Sequence, residues 1–381
     1  MKRILFVSQS LKVGGVERAL VEQVNELAKK EDVTLFLFSR TGAYITEIDE
    51  EVKVIYGNWM LGCLGRTKKE SAERLFTYIV RNGIALLVKI FGRKAIYKIL
   101  FLMSREFSDY DVAISYVNDQ GKYSLYSGCN QFVLSNVCAK KKVAWIHSDP
   151  RRLEQGCLSD YTKFDLIVNV SQTMKLEFDK LKIVPNEKSV CVYNRLNIAD
   201  IVAKSKDANP YTNQGLKILT VGRLEELKGT KDLLMVAKKL VDDNIDFTWY
   251  FLGDGVLYSF CEEYIHKNQM KRNVVLLGKK NNPYPYIAHA DVCVSGSQTE
   301  TFGISIIEAL LLKTPVIALR YSAIDEILDS SNGVVCQSYD DIYHTLRDLG
   351  DGFNSQEILL SPKLLIDYNK LNDFQIDTIL K

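Results

Sequence analysis

Short runs of Val, Ile, Leu and aromatic residues alternate along this chain with longer stretches whose apolar positions recur every three or four residues. The short runs read as strands buried on both faces and the longer ones as amphipathic helices. Their regular alternation predicts parallel α/β architecture. In the first half the expected strands are 3–7, 33–38, 52–55, 112–115, 143–146, 166–170 and 190–193. In the second they are 217–221, 247–252, 274–277, 292–295, 316–319 and 334–335. Each series reads as a doubly wound, Rossmann-like sheet.

A chain of 381 residues exceeds what one hydrophobic core usually organises, so two domains are expected. Residues 199–215 are polar, contain Pro210 and Gly215, and separate the two strand series. The expected domains are therefore 1–207 and 208–381. Residues 361–381 read as one or two helices, with the option of crossing back to the first domain.

Hydrophobic residues make up 47% of the chain, charged residues 25%, and the net charge is +2. That balance is ordinary for a globular protein and gives no reason to expect a nucleic-acid partner. The basic start is followed by an apolar run shorter than a secretory signal needs, and no run reaches the ~18 apolar residues of a membrane span. A cytoplasmic location is the expectation. Eight scattered cysteines without a CxxC pair read as buried, reduced thiols, not as a disulfide or zinc framework.

Candidate chemistry gathers where expected strands end. Strand 217–221 runs into Gly222-Arg223, then Lys228-Gly229 and a helix from about Thr230. A guanidinium fork and an ammonium at a strand's carboxyl end suit a diphosphate, although two solvated loop cations would look the same. Gly253-Asp254-Gly255 repeats the strand-to-helix turn with residues small enough for close backbone approach. The fullest element is 295–310, SGSQTETFGISIIEAL, a polar loop opening a helix near Gly303. Unpaired amides at such a helix start attract phosphate. Glu300 precedes the helix, and Glu308 lies inside it among Ile304, Ile306, Ile307 and Leu310, where a carboxylate needs donors such as sugar hydroxyls.

The Glu300…Glu308 pair, with seven residues between, resembles the EX7E motif of family 4 glycosyltransferases. Gly222-Arg223…Lys228-Gly229 and Gly253-Asp254-Gly255 resemble that family's diphosphate-binding and LGxGP segments. Gly14-Gly15-Val16-Glu17-Arg18, His147, Ser171 and Asn194 resemble its first-domain landmarks in order and spacing. The chain departs from the pattern at Arg195, where Gly or Pro is usual, and at Val256, where Pro is usual.

The resemblance implies a GT-B fold, two Rossmann-like domains facing across a cleft, and transfer of a hexose or related sugar from a nucleotide-diphosphate sugar with retained configuration. It implies that Glu308 accepts from the ribose and Glu300 contacts the transferred sugar. Arg223 and Lys228 would neutralise the diphosphate, helped by Thr301, Phe302, Gly303 and Ile304. Gly15, Gly222, Gly253 and Gly255 would let backbone approach the donor, and His147 would position donor sugar or acceptor. No cofactor or bound metal is implied. The expected role is surface or capsular polysaccharide synthesis, with a glycan or lipid-linked acceptor.

Residues 78–105 hold six basic and no acidic residues among many Ile, Leu and Phe. Such a helix pair suits an anionic membrane surface, and equally a core pair whose basic side chains reach out to water. Two other classes remain open. A nucleotide-sugar epimerase would need no acceptor, and a non-catalytic nucleotide-sugar-binding protein would not need all four of Arg223, Lys228, Glu300 and Glu308. A dinucleotide-dependent dehydrogenase fits poorly, because the first strand is not followed by GxGxxG.

Overall fold

The apolar runs of the first half pair in parallel as β1 (Arg3–Ser8), β2 (Asp32–Leu37), β3 (Lys53–Tyr56), β4 (Phe107–Ser115), β5 (Val137–Ile146), β6 (Leu166–Asn169) and β7 (Ser189–Cys191). Their order across the sheet is β3-β2-β1-β4-β5-β6-β7. The structure, a computed structural model, describes residues 1–12, 14–66, 75–119, 124–153, 155–329, 332–350 and 368–380. Both β4 and β5 begin several residues before the apolar runs that announced them. Residues 107–111 and 137–142 are mostly exposed or half-buried, so these extensions carry no continuous apolar signal. A register shift between Phe107 and Tyr110, with Asp109 at φ 64°, lets the extension of β4 bend. Phe36, Phe38, Phe101, Phe107 and Phe132 pack ring against ring beneath β2 and β4.

The second half forms β8 (Leu216–Val221), β9 (Phe247–Leu252), β10 (Val274–Gly278), β11 (Val292–Ser295), β12 (Val316–Leu319) and β13 (Val334–Cys336). All pair in parallel, in the order β10-β9-β8-β11-β12-β13. Six consecutive buried residues, FTWYFL, make β9 a central strand covered on both faces. The helix Thr230–Asp242 turns Leu233, Leu234, Ala237 and Leu240 onto the sheet, with Asp232 in its first turn and Lys239 in its last.

The strand order reverses between β8 and β11, and loops leaving the carboxyl ends on either side of such a reversal form the ligand-binding position of doubly wound sheets. Thr220 ties the three strands there: Trp249 Nε1 donates to Thr220 Oγ1 at 3.0 Å, and that hydroxyl donates to the Val294 carbonyl at 2.9 Å.

The two sheets organise two units, one of Met1–Leu196 with Leu371 onward and one of Asn197–Lys370. The boundary thus falls after 196, not at the 207/208 position the polar segment suggested. The helix Ile198–Lys204 buries Ile201, and Asn282 Nδ2 donates to the Lys204 carbonyl at 3.0 Å and to Asp207 at 2.9 Å. These contacts assign 197–207 to the second unit. The helix Tyr368–Leu380 returns to the first, where Asn372, Ile376 and Ile379 are buried. The rest of the 361–381 segment, 361–367 and 381, lies outside the described residues.

Arg195, the departure from the family pattern, holds this returning helix. Its guanidinium pairs with Asp373 and donates to Asn372 Oδ1 at 3.3 Å, while Glu26 lies 3.4 Å away. All eight cysteines are free thiols, and only Cys138 is exposed.

Candidate functional site

The loops leaving β8 and β11 are knitted together by backbone. Gln298 N donates to the Leu227 carbonyl at 3.1 Å, which sets the 296–303 loop beside the 222–229 loop. Lys228 and Glu300, one from each loop, form an ion pair, and Ser297 Oγ donates to the same carboxylate oxygen at 3.0 Å. Their side chains are 24% and 18% exposed, so water reaches the pair but does not surround it.

Gly222 follows β8, and Gly253 follows β9 directly beside it. A Cβ on Gly253 would sit 1.8 Å from the Gly222 carbonyl oxygen, so only glycine permits this approach. Gly255 packs on Leu224, whose carbonyl oxygen would stand 2.3 Å from an added Cβ, and Val256, in the usual proline position, is 89% exposed. Arg223 lies apart from the Lys228–Glu300 pair. Its side chain is 74% exposed and pairs with Glu225 at 3.0 Å, so the structure places it at the rim of this corner.

The loop after Glu300 passes through Thr301 and the buried Phe302 to Gly303, which precedes the helix Ile304–Leu311. Gly303 takes the left-handed conformation at φ 77° and provides no side-chain cap. The helix start therefore presents its positive end without a capping side chain. The buried hydroxyl of Tyr321 packs against Gly303, 2.4 Å from where a Cβ would stand. Burial pushes that hydroxyl well above the usual phenol range, and the Glu300 and Glu326 charges add to the shift.

Glu308, one turn into the helix, is buried and accepts from Tyr284 Oη at 3.2 Å. Burial, reinforced by the Glu308 charge, pushes the Cys293 thiol up to about 12. Tyr284 and Ser297 were not legible as site residues. Tyr284 reaches Glu308 across 24 residues of chain, and its surroundings, NPYPYIA, carry no motif.

Two expected residues belong to the first unit. Gly15 opens the helix Gly15–Ala28 after an extended Gly14, and Glu17 folds back against Gly14 while accepting from Tyr126 Oη at 3.0 Å. His147 follows β5, with its backbone amide donating to Asn118 Oδ1 at 3.2 Å and its ring stacked parallel to Trp145 and tilted on Tyr116. Burial of the ring lowers its pKa to about 3, which keeps the imidazole neutral.

The basic segment 78–105 divides between two helices, Leu75–Phe91 and Arg93–Leu102. Arg93 does not belong to a basic surface. It is 2% exposed, lies 3.3 Å from the buried Asp119 and donates to Ser127. Lys94 pairs with Asp160 at 2.9 Å, whereas Lys89, Lys98 and Arg105 are exposed. Phe76, Ile79, Leu86, Ile90, Phe91 and Leu102 are each more than half exposed. Among the described residues no helix is long and apolar enough to cross a membrane.

Fold and site thus define a protein of two Rossmann-like units, with the Lys228–Glu300 pair beside a helix start at the second unit's strand reversal. Residues 202–351 match the family model of glycosyl transferases group 1. The chain is 27% identical to an uncharacterized glycosyltransferase, MJ1059, of Methanocaldococcus jannaschii over 69% of its own length and 66% of that protein. It is 32% identical to the poly(ribitol-phosphate) alpha-N-acetylglucosaminyltransferase of Staphylococcus aureus over 34% of its length and 27% of that protein. It thus spans less than two thirds of either relative. The crystal structure of Anabaena Alr3699/HepE in complex with UDP and glucose superposes with a TM-score of 0.68 at 18% identity, covering 100% of this chain and 99% of that one. That likeness shows the fold, the GT-B pairing of two Rossmann-like domains.

Proposed function

We propose that this chain is a glycosyltransferase that moves a hexose or related sugar from a nucleotide-diphosphate sugar to a glycan or lipid-linked acceptor in surface polysaccharide synthesis. The observation that carries the reading is the Lys228–Glu300 pair at the β8/β11 reversal, beside an uncapped helix start. Breaking a sugar–phosphate bond builds negative charge on the departing oxygen, and preorganised positive groups lower the cost of that charge. Lys228 and the amides at Gly303 and Ile304 supply it, with Arg223 reaching in from the rim. Glu308, held by Tyr284, is the acceptor for ribose hydroxyls, and Glu300 for those of the transferred sugar. UDP is the nucleotide named with HepE, which supports a uridine donor as the first to try. Retention of configuration rests on the spacing of Glu300 and Glu308. Neutralisation by Lys228 and helix amides supports transfer without a metal ion, so chelation should leave turnover unchanged.

In the first unit, the neutral His147, whose ring nitrogens are buried, suits a role in shaping the site, not in taking up a proton. The exposed apolar and basic helices Leu75–Phe91 and Arg93–Leu102 support attachment to the cytoplasmic face of an anionic membrane. The test is nucleoside diphosphate release from a panel of nucleotide sugars incubated with membrane lipid extract. Release that requires the extract and fails in Lys228→Ala supports transfer. Conversion of the sugar without nucleotide release indicates an epimerase, and no reaction with any donor indicates a binding protein.

A further inference from the structure

The two loops that carry Lys228 and Glu300 meet a third element of the second unit. β13 leads into the helix Tyr339–Gly350, and the first residue of that helix reaches both loops. Tyr339 Oη donates to the Gly296 carbonyl at 2.9 Å and accepts from Gln298 Nε2 at 3.4 Å. The same hydroxyl stands 2.4 Å from where a Cβ on Gly229 would be, and the Gly296 carbonyl oxygen stands 2.2 Å from that point. Gly229 also takes φ 67°, so conformation and space both require glycine there. On Gly296 an added Cβ would stand 2.7 Å from Leu233 Cγ, which leaves that residue no room to retreat. One hydroxyl thus meets the residue directly after Lys228 and two residues of the loop leading to Glu300.

Tyr339 is itself firmly held. Asp341 Oδ2 accepts from the Gln337 and Ser338 amides at 2.9 and 3.0 Å, and Ser338 Oγ accepts from the Asp341 amide at 3.1 Å, so the start of its helix is reciprocally capped. Ile342 and Leu346 are buried in the core of the unit, and Asp340 pairs with Lys239 on the helix Thr230–Asp242. Burial, with the Asp232 charge adding to it, raises the pKa of the phenol, which keeps the hydroxyl protonated at neutral pH. Both of its hydrogen bonds end in the loop that presents Glu300, and neither in a strand or helix. A rigid element therefore fixes a loop that carries chemistry.

We propose that Tyr339 is a positioning residue of the donor site, whose hydroxyl sets the separation of the loops presenting Lys228 and Glu300. Its consequence for turnover rests on the transferase reading, whereas the positioning is a property of the corner by itself. Without the clamp, ammonium and carboxylate drift from the geometry in which one meets the diphosphate and the other the sugar. A misplacement of about 1 Å costs on the order of 10² in rate.

The test uses Tyr339→Phe, which keeps the ring and deletes both hydrogen bonds. Reductive methylation, followed by peptide mass spectrometry, should modify Lys228 about fivefold faster in the variant, the shift that loss of one hydrogen bond allows. Lys217 is the internal control: it pairs with Asp291 at the opposite end of β8, and its side chain is 20% exposed against 24% for Lys228. Its labelling should not change. Unchanged labelling of Lys228, or an equal rise at Lys217, would overturn the assignment. In nucleotide release, Tyr339→Phe should lower kcat roughly ten- to a hundredfold in the wild-type background and less than about twofold in Lys228→Ala. An equal loss in both backgrounds would mean that the tyrosine does not act through Lys228, and would also overturn it. Faster Lys228 labelling in a protein that turns over no nucleotide sugar would sink the transferase and keep the clamp; turnover with unchanged labelling would do the reverse.

Discussion

Lys228 and Glu300, which the sequence resemblance implied would serve the two ends of one donor, are each other's partner. On the proposed donor reading, a diphosphate entering the corner would compete with a carboxylate for the same ammonium, exchanging one charge pairing for another and releasing Glu300 toward the sugar.

That exchange gives opposite expectations for the two residues. Lys228→Ala should lower turnover by roughly 10²–10³, the effect of removing one preorganised donor to a developing charge. Glu300→Gln should leave UDP binding equal or tighter, because Lys228 is no longer held, while turnover of the nucleotide sugar falls. Calorimetric titration with UDP and a coupled nucleotide-release assay separate the two. Weaker UDP binding in Glu300→Gln would show that the pair does not compete with the donor.

Tyr284→Phe removes the 3.2 Å hydrogen bond to Glu308 and leaves a buried carboxylate oxygen with one donor fewer. The expected cost is about 1 kcal/mol of stability, with weaker nucleotide binding and little change in turnover at saturating donor. Denaturant unfolding and the KM against kcat split check it. An unchanged KM would detach Glu308 from the nucleotide.

Much of this is legible in the sequence. Continuous apolar runs such as FTWYFL located the strands, and the loops after β8 and β11 were identified by small and charged residues at strand ends. The misread parts depend on distant partners. The segment around Ile198–Lys204 looks like a linker because its polarity is local, whereas its attachment to Asn282 is not. Arg93 looks like a surface cation because its neighbours are basic, but its partner Asp119 arrives from the far side of β4 in sequence.

Arg93 and the exposed lysines should accordingly separate. Arg93→Ala leaves the Asp119 carboxylate buried without its cation and should destabilise the protein by roughly 3–5 kcal/mol. Lys89→Glu with Lys98→Glu should leave stability nearly unchanged and reduce flotation with anionic vesicles. Thermal melting and vesicle flotation distinguish the pairs. A fully stable Arg93→Ala would contradict the buried assignment.

His147 carries a pH dependence whose sign follows from its lowered pKa. The folded ring takes up a proton only near pH 3, whereas the unfolded one does so near its ordinary 6.5. Between those values the unfolded chain binds the extra proton, so His147 makes stability fall as pH drops below about 6.5 and has no such effect above it. His147→Gln should flatten the decline of Tm between pH 7 and 5. An equally steep decline in the variant would mean the ring titrates normally.

The central claim is that the second unit grips a nucleoside diphosphate at the reversal between β8 and β11. Thermal unfolding of wild type and Lys228→Ala with UDP, GDP and ADP tests it most directly. One of these should stabilise wild type, by about 2.7 kcal/mol at a hundredfold excess over its dissociation constant, and lose most of that effect in the variant. No stabilisation by any of the three, or equal stabilisation of both proteins, would contradict it.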